Sequence, residues 1–127
     1  ILPDCIVLDE PTAMLDPRGR REVISTIKAL KEQFGITVVL ITHFMDEAAQ
    51  SERVVVMNHG EILLDSTPED VFSHVELLDE IGLDVPQATR LVHELRKEGY
   101  DLPDNIITED ACIEAIERLL REKGVAR

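Results

Sequence analysis

Two adjacent carboxylates, Asp9 and Glu10, follow the apolar run from Cys5 to Leu8. Prolines at positions 3 and 11 bound this run, and the pattern predicts a strand buried on both faces in the middle of a parallel sheet. Ligands of open α/β sheets bind at the carboxyl ends of the strands, where this pair would stand. Beside a phosphate group, an Asp in that place can hold Mg²⁺ while the next acid takes a proton from water. The pair could therefore carry out metal-assisted hydrolysis of a phosphate compound.

Two further polar residues follow the acid pair at informative positions. Asp16 lies in the segment Ala13-Met14-Leu15-Asp16-Pro17, and His43 follows Thr42 at the end of the next predicted strand. Each feature has a plain alternative, since a strand-end acid pair can simply begin a solvated loop and a lone histidine is more often structural than catalytic. The acid pair matches the Walker B pattern, and Asp16 stands at the spacing of a D-loop. The three features in this order are far more specific than any one of them.

This order of motifs resembles the ATP-binding-cassette (ABC) ATPases. The resemblance implies that Asp9 binds Mg²⁺, directly or through water, and that Glu10 polarises the attacking water as the general base. It implies that His43 contacts the γ-phosphate of ATP, and that Asp16 lies at the seam between two such domains, at the nucleotide site of the other. The implied cofactors are ATP and Mg²⁺, and the first implied partner is a second ABC ATPase subunit, in a homodimer or a heterodimer.

The segment from Asp9 to Pro17 has Met14 at a position where Ala, Gly or Asn is commoner. The sequence of this segment resembles the energy-coupling-factor type of ABC ATPase. The stretches Ile81 to Pro86 and Leu102-Pro103 are similar to the extension that follows the catalytic core in that type. The resemblance implies an ATPase that powers bacterial uptake of a vitamin or of cobalt and nickel ions. Integral membrane transport subunits would be further partners, and the ATPase would be peripheral, at the cytoplasmic face of the cell membrane. Met14 favours the first of the two paired ATPase subunits.

The elements that position these residues can be predicted from hydrophobic periodicity. Apolar residues at helical spacing predict a helix from about Arg20 to Phe34, which Gly35 would end. The β-branched and almost wholly apolar stretch from Ile36 to Ile41 predicts a second buried strand. The order strand, helix, strand predicts a right-handed parallel crossover, which would place His43 at the same sheet edge as the acid pair.

The rest of the chain is predicted to be a hairpin followed by helices. A short helix would begin at Asp46, and two strands would form a hairpin around Asn58-His59-Gly60. Thr67 before Pro68 predicts the start of a helix, and Thr108 predicts the start of the last one. The predicted elements after His43 are a helix over 46–49, strands over 53–58 and 61–65, and helices from 67, near 76–81, over 86–98 and from 108 to an end at Gly124.

We therefore predict an α/β fold: the C-terminal part of the parallel sheet of a P-loop NTPase (ABC ATPase) with flanking helices, followed by a small helical extension. Residues 1–67 would belong to the catalytic core and residues 68–127 to the extension. The sequence contains no P-loop, which would show as a glycine followed at fixed spacing by Gly-Lys-Ser or Gly-Lys-Thr. The ABC signature segment and the glutamine loop are absent too. We expect these parts upstream of Ile1, in a longer protein, and we expect the 127-residue chain alone to be inactive.

Composition narrows the classes of function. The chain has 26 Asp and Glu against 13 Lys and Arg, and the net charge of −13 disfavours nonspecific binding to nucleic acid or to anionic lipid. No apolar run approaches the roughly 18 residues that a membrane-spanning helix needs, so a membrane role would come through a partner. Cys5 and Cys112 lack metal-ligand spacing and are predicted to be reduced core thiols. His59, His74 and His93 are expected to be ordinary surface histidines.

Two other classes of protein share part of this pattern. A soluble ABC ATPase that acts on the ribosome or on DNA would also have Asp9, Glu10 and His43, although the acidic balance and the helical tail argue against it. A non-enzymatic α/β signalling domain of the receiver type also places acids at the tips of parallel strands. It would need a lysine at a later strand end, and the stretch from Arg53 to Asn58 has none there.

Overall fold

A computed structural model describes residues 3–123 of the chain. The chain divides into two compact units, and the division falls between Glu47 and Ala48. The first unit holds the four residues with predicted site roles, and the second holds the hairpin and the helices of the tail. The predicted boundary between residues 67 and 68 separates a family core from its extension, and it stays a prediction.

A parallel pair of strands is the centre of the first unit. Strand β1 (Cys5–Asp9) pairs with strand β2 (Thr37–Ile41), and Asp9 lies opposite Ile41 in the register. Helix α1 (Pro17–Phe34) connects the two strands. The predicted parallel pairing through a helical connection is confirmed, and it brings the segments that follow both strands to one edge of the sheet.

Helix α1 begins earlier than the predicted start near Arg20. Asp16 is its N-cap, and the Asp16 carboxylate accepts a hydrogen bond from the amide of Gly19 at 2.7 Å. Pro17 takes the first helical position, where its fixed φ fits and no amide hydrogen is needed. The periodicity starts later than the helix because the first turn is held by this cap and not by apolar contacts. Gly35 ends the helix as predicted, in the left-handed conformation with a φ of 64°.

The strands of this sheet are not buried on both faces, which corrects the prediction for β1 and β2. Exposed and half-buried residues alternate along each strand, and Val7 is 62% exposed. Burial on both faces needs neighbouring strands and a layer on each side, and within residues 3–123 this sheet has two strands. Cys5 is likewise exposed, so the core-thiol prediction is wrong for Cys5, whereas Cys112 is a buried free thiol as predicted.

The predicted hairpin lies in the second unit. Strand β3 (Val54–Asn58) pairs with strand β4 (Glu61–Ser66) in antiparallel orientation. His59 and Gly60 form the two-residue loop, and both have positive φ, at 51° and 78°. Two successive positive φ values are the mark of a type I′ turn, whose twist matches that of the two strands. The short-range turn signal in the sequence is therefore sufficient to predict this hairpin.

Within the described residues, the elements after the hairpin are helices. They are α3 (Pro68–Ser73), α4 (Val75–Glu80), α5 (Gln87–Lys97) and α6 (Glu109–Glu122). The hydroxyl of Thr67 accepts a hydrogen bond from the amide of Asp70 and so caps α3. The hydroxyl of Thr108 caps α6 in the same way, through the amide of Ala111. Both predicted caps are confirmed, and the predicted end at Gly124 lies outside the described residues.

Apolar side chains form the core of the second unit. A buried cluster joins α5, α6 and the segment between them, and it contains Ala88, Val92, Leu102, Ile106, Cys112 and Leu119. In α3 and α4, Val71, Phe72 and Leu78 are almost completely buried. Burial of each large apolar side chain contributes about 1.5–3 kcal/mol to stability.

Within residues 3–123, every helix is too short or too polar to span a bilayer.

The three histidines of the second unit differ in exposure. His59 and His74 are exposed, as predicted, but His93 on α5 is half-buried. His93 lines a small hollow with Thr89 and Asp104, which covers part of its ring, and its Nε2 atom has no hydrogen-bond partner within the described part of the chain. In residues 3–123, no group of three or more His, Cys, Asp and Glu side chains could hold a metal ion.

Candidate active site

His43 and Glu10 are in direct contact at the carboxyl edge of the first sheet. Glu10 directly follows β1, and His43 comes shortly after β2. The Nδ1 atom of His43 lies 2.5 Å from the Oε1 atom of Glu10. The side chain of His43 is 61% exposed and that of Glu10 is 46% exposed, so a ligand could reach both. The structure thus brings these two predicted site residues together, and their catalytic roles stay predictions.

The backbone of Glu10 turns sharply at the end of β1. Its φ of 47° lies in the left-handed region, which costs a non-glycine residue on the order of 1 kcal/mol. The amide of Ala13 donates to the carbonyl of Glu10 at 3.2 Å, and the amide of Leu15 donates to the carbonyl of Thr12 at 3.1 Å. Residues in strained backbone conformations concentrate at functional sites, where the surrounding structure holds them. This turn determines where the Glu10 side chain leaves the strand.

Asp9 ends β1 and is exposed next to Glu10. Mg²⁺ in nucleotide sites is commonly held by one or two carboxylates together with phosphate oxygens and water, rather than by a cage of protein ligands. A single exposed carboxylate at the end of a strand fits that kind of site. The residues present therefore suit Mg²⁺ that arrives with a nucleotide.

Asp16 has a structural role in this chain, as the N-cap of α1. Within residues 3–123 it makes no hydrogen bond to Asp9, Glu10 or His43. The loop that precedes it is open to solvent, and Met14 is 96% exposed. The structure thus leaves Asp16 apart from the Glu10–His43 contact, and its predicted role at the nucleotide site of another subunit stays a prediction.

Sequence reasoning missed Glu47, which lies on the short helix α2 (Met45–Ala48) and is 4% exposed. The hydroxyl of Thr12 donates to its Oε2 atom at 2.6 Å, and the hydroxyl of Thr42 donates to its Oε1 atom at 2.9 Å. The Nε atom of Arg20 lies 3.4 Å from Oε2. Both carboxylate oxygens therefore have partners, as a buried charge requires.

The sequence contained only a weak signal for this group. Thr12 follows the acid pair closely and Thr42 directly precedes His43, so both threonines lie beside residues with predicted site roles. Glu47 and Thr12 are 35 positions apart, however, and no local pattern predicts a hydrogen bond over that separation. An acid in the first turn of a short helix is usually explained by the helix dipole, so the type and position of Glu47 do not predict its burial.

Phe44 links His43 to Arg20. The rings of His43 and Phe44 stack with their centroids 4.4 Å apart and their planes inclined by 30°. The guanidinium carbon of Arg20 lies 3.7 Å from the centroid of the Phe44 ring. A guanidinium over an aromatic face contributes about 0.5–1 kcal/mol at an exposed site and about 2 kcal/mol when desolvated, and this pair is half-buried. The stack restricts the His43 ring and holds Arg20 beside Glu47.

No protein-family model matches the chain. It is 62% identical over 114 residues to the energy-coupling factor transporter ATP-binding protein EcfA1 of Caldanaerobacter subterraneus subsp. tengcongensis, and 55% identical over 114 residues to EcfA1 of Clostridium perfringens. The chain is a relative of the energy-coupling factor ATP-binding proteins. Each alignment covers 90% of this chain and 41% of the relative, so the chain spans about two fifths of the length of these proteins.

A second kind of energy-coupling factor protein and a solved structure extend this kinship. EcfA2 of Clostridium perfringens is 42% identical over 123 residues, which are 96% of this chain and 43% of that protein. The structure of CbiO1 from Clostridium perfringens, described as part of the ABC transporter complex CbiONQ, matches with a TM-score of 0.54 and 32% identity. The match covers 74% of this chain and 37% of that chain. The resemblance to the energy-coupling-factor type is confirmed, and so is the α/β fold class of an ABC ATPase.

Proposed function

We propose that this chain is part of the ATP-hydrolysing subunit of an energy-coupling-factor importer, which powers uptake of a vitamin or a transition-metal ion across the cell membrane. The observation that carries the proposal is the 2.5 Å contact between Glu10 and His43 at the carboxyl edge of a parallel sheet. Kinship with ATP-binding proteins supports a nucleotide as the ligand of that edge. Hydrolysis of a phosphoanhydride needs an oriented water and a proton acceptor. An accessible carboxylate held by a histidine can orient the water and accept its proton.

Asp9 and Glu10 have different roles in this reaction. Mg²⁺, when bound with ATP, neutralises charge on the phosphate oxygens. Asp9 would hold the metal, because its exposed carboxylate is a hard oxygen ligand of the kind Mg²⁺ prefers. Glu10 orients the attacking water by accepting a hydrogen bond from it, and then takes its proton as the general base.

His43 serves Glu10 and the nucleotide together. With a proton on Nδ1, the imidazole donates to Glu10 and fixes the direction of the carboxylate, a tautomer that is inferred from this contact. A doubly protonated imidazole has donors at both ring nitrogens. One nitrogen can then bind Glu10 while the other binds an oxygen of the γ-phosphate, so that base and phosphate are held by one side chain.

The proposed protein has partner subunits and a location at the cell membrane. A second ABC ATPase subunit would meet the exposed loop before Asp16, and integral membrane transport subunits would complete the importer at the cytoplasmic face of the cell membrane. The relatives with 55–62% identity are EcfA1 proteins, while the EcfA2 protein is 42% identical. This difference supports the first of the paired subunits, which Met14 favours too. The net charge of −13 supports a protein that does not bind nucleic acid.

Purification from cells separates this proposal from a soluble ABC ATPase. The tagged whole protein should be recovered from detergent-solubilised membranes together with integral membrane subunits and a second ATPase subunit. The purified assembly should hydrolyse ATP in the presence of Mg²⁺ and stop when the metal is chelated. Recovery of the protein with ribosomes or DNA, with no ATPase activity in the membrane fraction, would contradict the proposal and favour the soluble alternative.

A further inference from the structure

We propose that Glu47 is a positioning residue for ATP hydrolysis, which ties the segment after the acid pair to the segment that carries His43. This inference rests on the proposed function, because the reaction it serves is the hydrolysis assigned there. Glu47 is buried and its two oxygens are occupied by protein donors, so it acts through other residues and not by touching the nucleotide.

The carboxylate of Glu47 joins two chain segments. Its Oε2 atom accepts from Thr12, in the turn that begins at Glu10, and its Oε1 atom accepts from Thr42, the residue before His43. Within the described residues, the backbone ladder between the two strands ends at the hydrogen bond from the amide of Glu10 to the carbonyl of Ile41. The turn after Glu10 and the segment that carries His43 lie beyond this ladder. Bridging both through a single side chain couples the position of Glu10 to that of His43.

The hydrogen bond between Thr12 and Glu47 is buried. Thr12 is 0% exposed, so its hydroxyl has no access to bulk water and depends on Glu47 as its acceptor. A hydrogen bond to a charged acceptor is stronger than one between neutral groups, and more so away from water. Removing the carboxylate would leave the Thr12 hydroxyl buried without this partner, and the turn would rearrange to hydrate or re-pair it.

Glu47 is connected to His43 through two sets of contacts. The hydroxyl of Thr42 donates to Glu47 and also accepts from the amide of Phe44, which holds the backbone on both sides of His43. The amide of Glu47 donates to the carbonyl of Phe44 at 3.1 Å and closes the same turn. Arg20, beside the carboxylate, covers the Phe44 ring on which His43 stacks.

These contacts explain why an exposed pair can be well placed. Glu10 and His43 are accessible to solvent, and exposed side chains have many rotamers unless neighbours restrict them. Glu47, together with its two threonines, supplies the rigid base beneath them. A misplacement of a reacting group by about 1 Å can lower the rate about hundredfold, so the bridge should matter for turnover more than for nucleotide affinity.

The direct test is Glu47→Gln in the whole protein, assembled with its partner subunits. The amide keeps the size of the side chain but replaces one oxygen with an NH₂ group, which reverses one of the two threonine hydrogen bonds, and it removes the charge that strengthens both bonds and pairs with Arg20. We expect kcat for Mg-ATP to fall about tenfold or more, with KM changed about twofold or less. The matched control is Glu32→Gln on the exposed side of α1, which removes the same charge and should leave both constants unchanged.

A double substitution distinguishes positioning from general stability. If Glu47 acts through His43, then adding His43→Ala to Glu47→Gln should cost less than the product of the two separate losses in kcat. Losses that simply multiply would overturn the inference, since they would show that Glu47 acts independently of His43.

A pair of substitutions at Thr12 keeps the inference testable if Glu47→Gln does not fold. Thr12→Ser keeps the hydroxyl and loses a methyl group, while Thr12→Val keeps the shape and loses the hydroxyl. We expect the serine variant to retain most of kcat and the valine variant to lose about tenfold. The opposite order would show that packing, not the hydrogen bond to Glu47, matters at this position, and would overturn the inference.

The failure of this inference differs from the failure of the proposed function. A wild-type assembly that hydrolyses no ATP overturns both. A wild-type assembly that hydrolyses ATP beside an equally active Glu47→Gln variant overturns only the positioning role of Glu47.

Discussion

The amide of Glu10 donates a hydrogen bond to the carbonyl of Ile41 at 2.8 Å, one residue beyond the end of β1. The parallel ladder therefore continues into the segment that carries Glu10 before the chain turns away. Backbone pairing, and not only the side-chain contact, holds Glu10 near the end of β2 and so near His43. Because this pairing belongs to the backbone, substitution of the exposed side chains of Glu10 and His43 themselves should leave the strand ends in place and report on chemistry.

His43→Ala should impair turnover without unfolding the protein. The side chain is mostly exposed, and exposed substitutions usually change the free energy of unfolding by about 0.5 kcal/mol or less. Loss of the group that orients Glu10 should lower kcat about hundredfold. Steady-state ATPase assays and thermal melting of the whole protein measure the two effects, with His74→Ala as an exposed control. A large fall in melting temperature with near-normal turnover would identify His43 as a structural histidine.

Substitutions of Asp16 should separate its cap from its predicted role at a second subunit. Asp16→Ala removes the side chain that accepts from Gly19 and should destabilise the protein by about 1 kcal/mol. Asp16→Ser retains an N-cap and should melt close to wild type, yet it should lower turnover in the assembled ATPase. Full turnover of Asp16→Ser in the assembly would count against a role at the nucleotide site. Melting curves and ATPase rates on the same preparations decide between the two roles.

Arg90 should make the second unit sensitive to acid. It makes ion pairs with Asp79 at 2.7 Å and with Asp84 at 3.0 Å, and its hydrogen bonds hold the pKa of both carboxyls below their ordinary value of 3.8. A lowered folded-state pKa means that the stabilisation is complete above about pH 4 and is lost as pH falls through the lowered pKa. Arg90→Met should therefore lower the melting temperature at pH 7 and reduce its decline in acid.

The control for Arg90 is Arg118→Met, which breaks an exposed pair with Glu114 on one helix. Exposed helix pairs of this kind contribute only about 0.3–0.5 kcal/mol. Melting temperatures of both variants between pH 7 and pH 3 test the prediction. Equal effects of the two substitutions across this range would show that the Arg90 bridges add no more than an ordinary surface pair.

The 127-residue chain by itself should neither bind nor hydrolyse ATP, and it should self-associate. Phosphate affinity in P-loop enzymes comes from backbone amides and a lysine at a helix N-terminus, and the sequence contains no such motif. Val7, Val39 and Ile41 are exposed on a sheet, and exposed apolar strands favour association. Val7→Lys should reduce light scattering more than Leu91→Lys does on α5. Micromolar binding of Mg-ATP by a monodisperse monomer in calorimetric titration would contradict the prediction.

The parts of the fold that depend on local signals could be predicted from the sequence. The hairpin follows from His59-Gly60 between two apolar runs, and the helix starts follow from Thr67 and Thr108, because turns and caps involve residues a few positions apart. The parallel pairing of β1 and β2 also follows, since a strand, a helix and a strand in this order leave few topologies. Proximity of Glu10 and His43 is a consequence of that topology.

The parts that depend on distant neighbours could not be predicted. Val7 lies in an apolar run that suits a central strand, but burial is decided by what packs on each face, and the sequence of a strand does not contain that information. The buried Glu47 is invisible for a similar reason, since its partner Thr12 is far away in sequence. Charged residues lie mostly at the protein surface, so a sequence alone predicts that Glu47 is exposed. Its burial becomes apparent only when the groups that donate to its carboxylate are located in the structure.

Glu10→Gln tests the central claim most directly. The substitution removes the proton acceptor and keeps the size of the side chain, so the whole assembled protein should still bind Mg-ATP with little change in affinity. Its hydrolysis rate should fall about hundredfold or more, the range expected for loss of a general base, while Glu32→Gln should hydrolyse ATP at the wild-type rate. Single-turnover hydrolysis of ATP by the saturated assembly is the decisive measurement: a bound nucleotide that stays ATP supports the account, and an unchanged hydrolysis rate would show that Glu10 is not the base.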